Sequence, residues 1–188
     1  MPKAKKAKKK VKASKKAKSK PSKKAAKQVD GDRALREQVV ALLRAGGAHV
    51  NFDDAIDGVP KDRRGVFLKG LPHTCWQLLE HARIAQWDIL EFSRNSKHVS
   101  PPFPAGYWPR TPLPPTDEAW DESVKLFQRD LAEFVALVED PKTNLHAKIP
   151  WGQGQTVLRE ALLAADHNAY HLGQLVYLRR ALGTWPES

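Results

Sequence analysis

The chain is 188 residues long and carries 32 Lys and Arg against 21 Asp and Glu, a formal +11. The charge is uneven: residues 1–27 hold 14 Lys and no acid, whereas residues 28–188 hold 18 bases against 21 acids, a formal −3. A single cysteine, Cys75, excludes an internal disulfide framework and a thiolate-rich zinc site. No apolar run approaches the roughly 20 residues that cross a bilayer, and no secretory signal follows the basic start. The expectation is a cytoplasmic chain without a membrane span, with a tail over residues 1–29 and one domain over 30–188, a length that buries one core.

In the tail, residues 3–27 are almost wholly Lys, Ala and Ser, which gives too little apolar surface to offset the entropy of ordering. This predicts disorder, with helix available to parts of it once an anion neutralises the ammonium groups, because Ala and Lys are good helix formers. A flexible polycation binds DNA or another polyanion by releasing counterions, without reading sequence. Nucleoid association is the corresponding location, and a solubilising extension with no partner is the alternative.

Helical punctuation follows. Asp30-Gly31-Asp32 precedes a periodic run, Ala34 to Ala45, that Gly46-Gly47 stops. After an irregular stretch containing Asn51 and Asp53, a long helix is predicted from Pro72 to Arg94. Half of the 14 prolines lie between Pro101 and Pro115, which makes that stretch a crossover loop. Thr116 and Thr156 are N-caps of two further helices, running to Val138 and to about Leu182, before Asp140-Pro141 and Gly183. Four helices with long crossover connections and no strand alternation predict an all-α four-helix bundle.

Three histidines fall on the predicted interior. His167 and His171 are one turn apart on the last helix and share a face with Leu163, Ala164, Leu175 and Leu178. His81 lies in a stripe with Leu78, Ile84, Ala85 and Phe92 that also holds Gln77 and Asp88. Buried imidazoles need partners, and three from two helices satisfy one another either through a metal ion or through separate hydrogen bonds to core groups.

The segments HTCWQLLEHARIAQWDILEF (73–92) and LREALLAADHNAYHLGQLVYLRRALGTW (158–185) resemble the two hallmark blocks of the DinB-like, or YfiT-like, superfamily of bacterial damage-inducible four-helix bundles. The likeness covers about residues 32–186. It implies that His81, His167 and His171 are the ligands of a divalent metal ion, which across relatives is zinc, nickel, iron or manganese; three neutral imidazoles do not choose among them. It also implies a homodimer, and chemistry of the kind found in thiol transferases, where a metal activates a small thiol toward an electrophile. Gln77, Asp88 and Gln174 are then candidates to orient the imidazoles or the ligand, with Glu160 on the same face of the last helix.

Two functions are therefore carried forward: a metal-dependent thiol transferase or hydrolase, and a non-enzymatic stress-related module held on a polyanion by its tail. Among the remaining residues, His49 is read as a loop residue and Cys75 as a packing residue. Tyr107, Trp108 and Trp151 are expected in loops that wall a pocket mouth.

Overall fold

The computed structural model describes residues 23–44 and 47–186. Among these residues five α-helices follow in chain order: α1 (Lys23–Leu43), α2 (Phe52–Ile56), α3 (Cys75–Arg94), α4 (Asp117–Glu139) and α5 (Val157–Ala181). Among the described residues there is no strand, only one isolated bridge between Lys148 and Thr156. No described helix is long and apolar enough to cross a membrane. The four long helices form the bundle: α3 packs on α4 and α5, and α1 on α4 and α5.

The predicted threonine caps are present. Thr116 accepts from the Ala119 N–H and Thr156 from the Arg159 N–H, each from extended backbone, and each satisfies a first-turn donor that has no partner inside the helix. Asp117 and Glu118 in the first turn of α4, and Arg179 and Arg180 in the last turn of α5, suit the helix dipoles. Gly183 follows α5 with φ of 67°.

Three boundaries differ from the sequence expectation. The helix expected from Ala34 begins at Lys23, so Asp30-Gly31-Asp32 lies inside α1, and the last part of the expected disordered tail is helical backbone. Ala and Lys propagate a helix, and one glycine costs only about 1 kcal/mol relative to alanine, too little to stop it. The tail reading over residues 3–22 lies outside the described residues. The long helix expected from Pro72 starts at Cys75, because Thr74 and Gln77 form a reciprocal capping box. The stretch expected to be irregular contains α2, capped by Asn51, with Phe52, Ala55 and Ile56 buried.

Two apolar clusters fill the interior. One joins α1, α3, α4 and the start of α5 through Val39, Leu43, Leu90, Phe134, Val138 and Ala161. The other joins α2, α3, α4 and the end of α5 through Phe52, Trp76, Leu79, Phe127 and Leu175. Burying each large side chain contributes about 1.5–3 kcal/mol. Buried Arg36 ties α1 to the end of α4 by donating to the carbonyls of Val138, Asp140 and Thr143, two of them beyond the helix proper. The proline loop is pinned to the start of α3 by the Thr74 hydroxyl, which donates to the Pro112 carbonyl. Trp151 pins the loop before α5 by donating to the carbonyl of Phe92, near the end of α3.

Candidate metal centre

His81 projects from α3, and His167 and His171 from α5 one turn apart, into the contact between those helices. Their rings converge: one ligand atom from each of the three lies within 4.8 Å of the other two. The Nε2 atoms of His81 and His171 are 3.0 Å apart, and those of His81 and His167 are 3.1 Å apart. Metal–nitrogen bonds of about 2.0–2.1 Å place two donors on one ion about 3.0–3.4 Å apart. The observed spacings fall in that interval.

The outer nitrogens decide what the inner ones carry. His81 Nδ1 is 2.8 Å from the Tyr107 carbonyl oxygen, and His171 Nδ1 is 2.8 Å from Gln174 Oε1. Both partners are acceptors, so each Nδ1 carries the ring proton and donates it. Each neutral ring then has a bare lone pair on Nε2, and the 3.0 Å contact between His81 and His171 sets lone pair against lone pair. His167 supplies at most one proton to this centre, from its Nε2 toward His81, and that leaves the His81–His171 contact unrelieved. The Nδ1 of His167 is buried and finds no partner among the described residues. Three neutral nitrogen donors facing one point, with two of their protons held outward, fit a cation better than a hydrogen-bonded core.

Burial keeps the rings neutral. It pushes the pKa of His167 down to about 3 and that of His171 to about 4, with neighbouring imidazoles adding to the effect. Burial also lowers His81, partly opposed by its bond to the Tyr107 carbonyl.

The proline loop builds one wall. The Trp108 ring stacks flat on His81, with centroids 3.8 Å apart and planes at 1°, and His73 covers the other face of the indole at 4.0 Å. Tyr107, whose carbonyl holds His81, is itself held by its hydroxyl, which donates to Asp88 Oδ2 at 2.6 Å. The other oxygen of Asp88 bonds His98 at 2.7 Å.

The sequence candidates therefore separate. Gln174 is in hydrogen-bond contact with an imidazole, that of His171. Asp88 touches none of the three rings in a hydrogen bond; it fixes the loop residue that does. Gln77 is spent on the Thr74 backbone N–H in the capping box, because it sits at the third position of α3. Glu160 is buried and bonds Arg159 at 2.7 Å. His49 is exposed, bonds its neighbour's carbonyl, and lines a different cavity of about 320 Å³ with Phe52 and Phe127. Cys75 is fully buried, and its thiol is pushed up to about 11 by that burial, as fits a packing residue.

Sequence reasoning missed the roles of His73, His98 and the Tyr107 carbonyl, which arise from loop contacts far apart in the chain. The adjacent aromatic pair Tyr107-Trp108 inside a conformationally restricted proline run was the available signal.

A family model described as the DinB superfamily matches residues 48–175, more than half of the chain and all three histidines. Neither the curated proteins nor the solved structures yield a match.

Proposed function

The chain belongs to the DinB superfamily, and from that premise we propose that His81, His167 and His171 hold one divalent transition-metal ion and that the site activates a small thiol for transfer to an electrophile. The observation that carries the metal is the 3.0 Å approach of two imidazole nitrogens whose ring protons are both committed elsewhere.

A metal bound there supplies a Lewis acid that lowers the pKa of a coordinated thiol or water. The chain's own groups prepare the site for it. Tyr107 and Gln174 hold the outward protons of His81 and His171, which fixes tautomer and ring orientation. Trp108 covers the flat face of His81 and keeps water from it. Burial holds the rings in the neutral, donating form at pH 7.

The choice of a thiol over water rests on what joins the cluster. Among the described residues no carboxylate belongs to it, and Asp88 is committed to Tyr107 and His98. A water nucleophile, starting near pKa 15.7, gains most from a general base beside it. A thiol, starting near 8.5, needs only the cation.

Elemental analysis of the purified protein, followed by a thiol-transfer assay with monobromobimane as electrophile, tests both halves. The expected results are about one ion per chain and transfer that stops on chelation. Absence of metal contradicts the site, and metal without transfer across common cellular thiols contradicts the reaction.

A further inference from the structure

Beside the histidine cluster lies a second cavity of about 320 Å³, within the range of small-molecule sites. Gly173, two residues beyond His171 on α5, lines it. A Cβ placed on Gly173 meets nothing within 4 Å. Glycine is the poorest helix former after proline, and here no close approach of another part of the chain requires it. Among the described residues nothing fills the space it leaves.

Tyr170 and Tyr177 stand three residues before and four residues after the glycine, so they flank it on one helix face. Both are largely exposed, at 64 % and 67 %. Leu71 and Leu78 close the slot from the α3 side. The result is an aromatic and aliphatic slot lined by two tyrosine rings, leucine side chains and the bare backbone of Gly173.

Its polar groups, from Gln174, His73 and the two tyrosine hydroxyls, are few and uncharged. Gln174 lines the cavity while its Oε1 accepts from His171, which makes it the shared wall between slot and cluster. Its amide N–H groups have no hydrogen-bond partner among the described residues, and neither do the ring nitrogens of His73 on the opposite side. Among the described residues no Lys, Arg, Asp or Glu lines the slot.

We propose that this slot binds a small uncharged carbonyl compound with an aromatic or branched-alkyl body, its ring or chain between Tyr170 and Tyr177 and its carbonyl oxygen accepting from Gln174 or His73. Burial lowers the pKa of His73, so it meets the ligand as a neutral donor at pH 7 and offers no charge to attract an anion. The inference goes beyond the thiol chemistry and does not depend on it: the slot is complete without a metal.

The test is an NMR titration of the full chain with benzamide, with benzoate as the charged counterpart, on protein as purified and again after chelation. Benzamide is expected to shift amides in residues 71–78 and 170–178, and benzoate to bind about tenfold more weakly or worse. Gly173→Leu fills the slot with a better helix former, so the fold and spectrum elsewhere persist while benzamide affinity falls at least about tenfold. Shifts centred on the cavity beside His49, or equal affinity in Gly173→Leu, overturn the proposal. So does a dimer in sedimentation that Tyr177→Ala dissociates, since that assigns the face to a second copy. Benzamide binding by protein that is purified without metal leaves the slot standing and removes only the metal reading; metal without benzamide binding does the reverse.

Discussion

Two polar layers cross the same helix pair, and they solve the problem of buried polarity in opposite ways. In one, Gln86 of α3 is fully buried, donates to the Phe127 carbonyl of α4 and accepts from the Asn168 amide of α5. Its donors point at acceptors, so the layer links three helices through the protein's own groups. In the other, one turn away, His81 and His171 send their protons outward to Tyr107 and Gln174 and turn lone pairs toward each other. In the first layer donors meet acceptors and only Asn168 Oδ1 is left without a partner among the described residues; the second sets lone pair against lone pair and asks for a cation. Burial alone does not distinguish a structural polar core from a ligand site, whereas the direction of the protons does.

The comparison is broken most severely by removing a ring. His81→Ala should reduce metal content from about one ion per chain to none, and chelation should lower the melting temperature of the unaltered protein but not of the variant. Breaking the other layer should have the converse signature. Gln86→Leu strands the Asn168 amide and should cost about 2 kcal/mol, or about 4–8 °C in Tm by calorimetry, with metal content unchanged.

Gln174→Ala sharpens the contrast at lower amplitude, since it frees the His171 proton without deleting a donor ring. Metal affinity, read by competition with a chromophoric chelator, should fall about 10–100-fold with little change in Tm.

Cys75 probes whether a thiolate belongs to either layer. Its folded pKa, about 11, lies above the ordinary thiol value because of burial, so the folded state binds the proton more tightly than the unfolded chain does. That contribution is present below about pH 9 and is lost as pH rises toward 11. Urea unfolding at pH 8 and pH 10.5 should show the loss in the unaltered chain and a smaller one in Cys75→Ala, whose metal content stays the same.

The smallest effect on either layer should come from deleting residues 1–22, ahead of α1. Metal content and Tm should hold, while DNA affinity in gel shifts at low salt should drop steeply; equal affinity in both chains removes the proposed polyanion tether.

The sequence made the helices and the three rings legible because both depend on short-range regularities. Thr116 and Thr156 announced their helices, and a spacing of four placed His167 and His171 on one face. The start of α1 was obscured because Asp30-Gly31 looks like a boundary, although a helix absorbs one glycine. Gln77 was assigned to the wrong partner because its face matched that of His81, while its position in the first turn claimed it for the cap. The walls of the site were not legible. The Tyr107 carbonyl and the Trp108 ring reach His81 from a loop 26 residues away, and no local period encodes such a contact.

X-ray absorption at the edge of whichever metal elemental analysis finds in the purified protein tests the central claim most directly. The account predicts three imidazole nitrogens at about 2.0–2.2 Å, a signature lost in His81→Ala. A coordination shell without imidazole, or one that the substitution leaves unchanged, would contradict it.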